Sequence, residues 1–203
     1  MKKSSNKICF LTCFLLLCNF IIKAQDCTTL NNFNEFHGVK FGKPIPFSLR
    51  KYCDKFDETH NYVFKSQYGD STFTIPDKVM ENIKLKNMAK FGGQFSSPYF
   101  VSLKDGRLFQ CGLFKFFDSS DRISNENKEY PYFFQKVTAE IRSIFGEYSK
   151  ETIENDMLVA IVRSWECDNI KIEFSMNLSI SSYNLEFTDK YLEKQRKFLH
   201  YSK

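Results

Sequence analysis

From Pro131 to Gly146 the apolar residues recur at helical spacing, and from Met157 to Phe187 they gather into strand-like runs, alternating over Ile170, Ile172 and Phe174. That change of period constrains the fold more than any other feature of the chain. In PYFFQKVTAEIRSIFG, Phe133 or Phe134, Val137, Ile141, Ile144 and Phe145 share one side, while Lys136, Glu140 and Arg142 fall elsewhere. This is the pattern of an amphipathic helix over 131–145. Pro131 suits the first turn and Gly146 the C-terminal cap. After a loop, EYSKETIEND, come three strand-like runs: MLVAIVRSW, NIKIEFSM and SYNLEF. Tight connections at Asp168–Asn169 and at 177–182 make them a three-stranded antiparallel meander over 157–187.

Ahead of the helix, SPYFVSLKDGRLFQCGLFKFF holds two β-rich runs on either side of Lys104–Asp105–Gly106. Glycine supplies the positive φ that such a turn needs, so a hairpin is expected over 98–117. The tail TDKYLEKQRKFLHYSK reads as a short C-terminal helix with Thr188 as its N-cap. Tyr191, Leu192, Phe198 and Leu199 are spaced to share one face, which would dock on the sheet. Further toward the N-terminus, FHGVKFG predicts a strand ending at Gly42 and PFSLRKYCDKF a short helix from near Pro46. NYVFKSQ and STFTIPD are strand candidates, and IKLKNMAKF is a strand or a helical turn. Strands in runs, with helices interposed irregularly, define an α+β fold with a mainly antiparallel sheet.

The first residues have a different character. MKKSSNK is basic, Ile8–Ile22 is apolar but for Thr12 and Asn19, and a polar stretch follows. This is the layout of a secretory signal peptide over 1–25, with cleavage after Ala24 or Gln25. The apolar run falls short of the roughly twenty residues a membrane span needs, so no spanning segment is expected once the leader is removed. A secreted or periplasmic address follows, the alternative being a membrane anchor formed by an uncleaved N-terminus. The remainder, 26–203, is long enough for a single α+β domain with a sizeable core. A division into two lobes, if there is one, would fall in the polar run near 118–129.

Removal of the leader also changes the charge argument. The chain carries 29 Lys and Arg against 24 Asp and Glu. Lys2, Lys3, Lys7 and Lys23 belong to the leader, which has no acid, so the rest is 25 against 24. A nearly neutral chain does not supply the basic face that nucleic acid requires, and no nucleic-acid partner is expected.

Cys9, Cys13 and Cys18 lie in the leader, which leaves Cys27, Cys53, Cys111 and Cys167 as disulfide candidates. Chain order and the elements that carry them favour Cys27 with Cys53, and Cys111 on the hairpin with Cys167 on the meander. The only tryptophan precedes Cys167 in Trp165–Glu166–Cys167–Asp168. Acids on both sides disfavour a thiolate, so this stretch reads as a stapled hairpin corner rather than a nucleophile.

Few residues suggest chemistry. Cys27, His37, Cys53 and His60 lack the close paired spacing of zinc ligands, so no metal is expected. No phosphate-binding loop, dinucleotide fingerprint or nucleophile elbow is present, and no cofactor is expected. The acid groups Asp54, Asp57, Glu58 and Glu151, Glu154, Asp156 read as solvated turns more readily than as a catalytic pair. In FGGQFSSPYF, the aromatic residues Phe95, Tyr99 and Phe100 beside Gly92–Gly93 are the candidates for contact with a ligand or partner. The expected function is therefore a non-catalytic binding or protein-interaction module of the cell envelope or extracellular space, with a protein or envelope ligand as partner. The alternative is a secreted hydrolase with a carboxylate-based site.

Overall fold

A computed structural model describes residues 25–36, 38–51, 54–55, 69–75, 95, 97–116, 131–154 and 160–201. The expected leader before Gln25, the 118–129 run, and Cys53, His37 and His60 lie outside these residues, as do the NYVFKSQ and IKLKNMAKF segments.

The helices are α1 (Cys27–Asn31), α2 (Phe47–Arg50), α3 (Tyr132–Phe145) and α4 (Lys190–Tyr201). The strands are β1 (Glu35–Phe36), β2 (Val39–Lys40), β3 (Asp54–Lys55), β4 (Ser71–Thr74), β5 (Ser97–Ser102), β6 (Leu108–Phe116), β7 (Lys150–Glu154), β8 (Ala160–Glu166), β9 (Ile170–Asn177) and β10 (Ser182–Asp189). β1 and β2 pair with each other, and the rest form one sheet in the order β3-β4-β5-β6-β10-β9-β8-β7. Every pairing is antiparallel. The α+β architecture, the hairpin, the central helix and the short C-terminal helix are those the sequence predicts.

The local causes are visible residue by residue. At the β5–β6 turn Gly106 has φ +88°. Its N–H donates to Leu103 O, while the Arg107 N–H donates to Asp105 Oδ1. Gly146 ends α3 with φ +77° and returns its N–H to Arg142 O. α3 buries Phe133, Phe134, Val137, Ile141 and Phe145. Phe134 stacks on Phe174 of β9 at 4.7 Å, and Phe133 meets Tyr183 of β10 at 4.6 Å. Phe33 and Phe36 close the same core against Phe187 at 4.9 and 5.0 Å. Each such ring contributes roughly 1.5–3 kcal/mol by leaving water.

FHGVKFG forms not one strand ending at Gly42 but the end of β1 and β2, paired antiparallel, and of the expected docking face of α4 Leu192 is buried while Tyr191 and Phe198 are exposed. Three larger expectations are also corrected. The EYSKETIEND stretch is not all loop, because it carries β7, which makes the meander four-stranded. β7 is an edge strand with Lys150, Glu151 and Ile153 exposed. With these residues exposed, it lacks the apolar run that marks its neighbour β8. The cap of α4 is Asp189 rather than Thr188: its Oδ1 accepts from Leu192 N at 2.9 Å, while the Thr188 hydroxyl donates to Glu186.

The third correction is the disulfide. Cys27 is bonded to Cys167, and Cys111 is a free, buried thiol. Cys111 lies on β6, which pairs with β10, while Cys167 follows β8. Three strand spacings, about 14 Å, separate β6 from β8, and a bridge cannot span Cα atoms more than about 7 Å apart. Cys27, in contrast, sits 5.6 Å from Cys167 by Cα. α1 is held there by Asp26 N–H to Phe145 O, and by Asn169 N–H to Asn31 Oδ1.

Candidate functional site

The large sheet has two unlike faces. Toward α3 it presents Phe73, Phe100, Cys111, Leu113, Tyr183, Leu185, Phe187, Ile172, Phe174 and Met176. Because side chains alternate along a strand, the intervening positions form the outer face. These are Tyr99 on β5, Gln110, Gly112, Phe114 and Phe116 on β6, Asn184, Glu186 and Thr188 on β10, and Lys171, Glu173 and Ser175 on β9. α4 covers one end of this face, with Leu192 buried against Val101, Leu103 and Phe109.

At the centre of the outer face the Tyr99 ring crosses strand β6. It can do so because the residue beneath it is Gly112: a Cβ there would sit 2.5 Å from Tyr99 Cζ. The phenol reaches the far strand, 3.0 Å from both Asn184 Oδ1 and Glu186 Oε2. One phenolic proton cannot serve two acceptors. The hydroxyl is placed to donate to either oxygen, Asn184 Oδ1 on one side or Glu186 Oε2 on the other. Burial pushes the Glu186 carboxyl up, with Glu173 adding to it, while the Gln110 and Tyr99 hydrogen bonds and Lys171 pull against the rise. Burial, followed by Glu186, raises the Tyr99 phenol well above its ordinary value.

Glu173 stands directly opposite Glu186 in the β9–β10 register. It accepts from Lys171 Nζ at 2.8 Å and from Ser164 Oγ at 3.4 Å. Thr188 Oγ1 donates to Glu186 Oε1 at 3.4 Å. Farther along β6, Phe114 and Phe116 meet edge to face at 4.9 Å. Phe116 is 66% exposed.

The aromatic candidates separate. Phe95 is buried against Phe133 and Phe174 at 5.3 and 6.3 Å, and Phe100 is fully buried beside Phe36. Both are core rings, and only Tyr99 reaches the outer face. Among the carboxylates, Glu151 takes the buried Arg163 at 2.7 Å, which is a structural pairing. Cys27, spent in the bridge, is not available to a metal. Among the described residues no group of three or more His, Cys, Asp or Glu is placed to hold one, and no helix is long and apolar enough to cross a membrane.

Glu186, Asn184, Gln110, Glu173 and Gly112 were not singled out from the sequence. The signal present there was alternation: YNLEF and IKIEF put Asn184 with Glu186, and Lys171 with Glu173, on the polar side of their strands. That β6 lies beside β10, and so brings Tyr99 to Glu186, is written in no local pattern. No family model, no curated protein and no solved structure matches the chain.

Proposed function

We propose that the chain is an exported, non-catalytic binding module whose partner docks on the outer face of the sheet around Tyr99 and Glu186. The observation that carries this reading is the Tyr99 ring laid over Gly112, with its hydroxyl set between Asn184 and Glu186. This half-buried patch of phenol, amide and carboxyl groups is held in place by neighbouring strands rather than by loops. Pre-placed polar groups of this kind suit recognition, because a partner need not order them on binding. The Cys27–Cys167 bridge supports an oxidising compartment outside the cytoplasm, in keeping with the basic and apolar leader.

The test is site-specific photo-crosslinking against a solubilised envelope of the source cells. A photoreactive side chain at Glu173 or Ser175 should give a discrete adduct, and one at Ala139, exposed on α3, should not. Adducts of equal yield at all three positions, or none at the two sheet positions, would remove the reading.

A carboxylate-based hydrolase is the second reading, favoured by one observation. Glu186, held toward its protonated form, directly opposes Glu173, which is tied to Lys171. An acid beside a carboxylate is the pair that glycoside cleavage needs. Release of reducing ends from a polysaccharide, abolished in Glu173→Gln, would establish it in place of simple binding.

A further inference from the structure

Resting on the binding reading above, we propose that the outer face holds a neutral oligosaccharide, laid along β6 on the aromatic row Tyr99, Phe114 and Phe116 and hydrogen-bonded from β10 and β9. Three observations carry this. The first is the row itself. Tyr99 occupies the space over Gly112, and Phe114 and Phe116 continue on the same side of the same strand. Gly112 to Phe116 is four residues, a run of about 13 Å, the length of a short oligosaccharide. α4 closes the end beyond Tyr99 through Leu192, and Phe116 lies exposed at the other.

The second is the pairing of rings with hydrogen-bonding groups. A sugar ring has an apolar C–H face and an edge of hydroxyls, so it needs an aromatic surface below and donors and acceptors beside it. Asn184 stands opposite Phe114 in register, Glu186 opposite Gly112, and Glu173 and Ser175 lie one strand further on. Amide, carboxyl and hydroxyl groups each match a hydroxyl of the ligand.

The third is charge. An anionic ligand would meet the Glu173 and Glu186 carboxylates, while among the described residues of this part of the face Lys171 is already committed to Glu173 at 2.8 Å. A neutral sugar meets no such opposition.

Affinity electrophoresis through gels containing soluble neutral polysaccharides (a β-glucan, a xylan, a galactomannan and a dextran) tests the proposal. At least one should retard the protein. Phe116→Ala, at an exposed strand end, and Tyr99→Phe, which keeps the ring and removes the hydroxyl, should each weaken that retardation at least tenfold. Phe47→Ala, a control at the 81% exposed ring on α2, should leave it unchanged. Circular dichroism melts identify any variant that fails to fold, and Glu173→Gln then serves as the substitute. Absence of retardation by all four polysaccharides, or equal retardation of the variants, overturns the saccharide assignment. An adduct still formed at Glu173 or Ser175 would then leave the binding face standing with a protein occupant, so the two readings fail separately. Retardation accompanied by new reducing ends would move the protein to the hydrolase class.

Discussion

The Tyr99 ring lies across Gly112, so that a Cβ at position 112 would sit 2.5 Å from the Tyr99 Cζ and hydroxyl oxygen and 2.6 Å from the Leu185 carbonyl oxygen. The first two atoms belong to a side chain that can swing away. The third is backbone of the neighbouring strand and cannot. Gly112→Ala should therefore cost about 1–3 kcal/mol, the range for overpacking a close-fitting site. Tyr99→Ser should relieve only part of that loss. Urea unfolding of the two single variants and the double variant checks this. A Gly112→Ala protein as stable as the parent would show that the strands part freely there.

The same contact shows where reading the sequence reaches its limit. α3 and β9 are legible because each buries one face, and burial imposes a period on the residues that line it; β8 is legible as a continuous apolar run, buried on both sides. β7 is not, since Lys150, Glu151 and Ile153 are exposed and carry no such mark. The expected Cys111–Cys167 pairing fails for a topological reason. The meander returns so that β10, and not β8, lies against β6. One strand order decides both that Cys111 stays a thiol and that Tyr99 reaches Glu186, and strand order is non-local information.

Cys27 and Cys167 are 140 residues apart in the chain. Closing a loop of that length restricts the unfolded chain by about 5 kcal/mol in the chain-entropy model. The double variant Cys27→Ser/Cys167→Ser should lose stability on that scale. Peptide mapping without reductant should recover residues around 27 and 167 as one cross-linked species. Cys111, fully buried with its thiol pKa raised by burial and then by Glu186, should resist alkylation until the protein is unfolded. Rapid native alkylation of Cys111, or a peptide linking it to Cys167, would contradict the fold.

Arg163 is a charged residue on the core side of β8, where alternation alone predicts an apolar one. Its guanidinium lies 4.6 Å from the Phe134 ring centroid and 5.2 Å from that of Tyr148. Nε donates to Glu151 and Nη1 to Thr138 Oγ1, at 2.7 and 2.9 Å. Planarity lets one group stack on rings and donate at its edge, which an ammonium cannot do. Arg163→Ala should cost about 2–4 kcal/mol from lost packing, cation–π contact and ion pairing. Arg163→Lys should recover less than half of that. Trp165, two residues along and in edge contact with Tyr148 at 5.8 Å, reports the transition by fluorescence. A fully stable lysine variant would reduce Arg163 to a generic cation.

The outer face should also leave a mark on the pH dependence of stability. Glu186 has its pKa raised above the ordinary 4.5 by burial and by Glu173, so the folded state holds that proton more tightly than the unfolded chain does. Its contribution is fully present below pH 4.5 and is lost as pH rises through the folded value. Glu166, lowered chiefly by its bond to Lys190, and Asp105, lowered chiefly by Arg107, act in the opposite sense. Their contributions are present above 4.5 and 3.8 and fade as pH falls through the lowered values. Both are substantially exposed, at 46% and 37% of the side chain, so solvent screening keeps their part small. Glu186→Gln removes the first contribution and leaves the other two. Relative to the parent it should therefore gain stability steadily from pH 4.5 upward, measured as the urea midpoint at successive pH values. A constant difference between the two proteins across that range would mean that Glu186 titrates as an ordinary surface carboxyl.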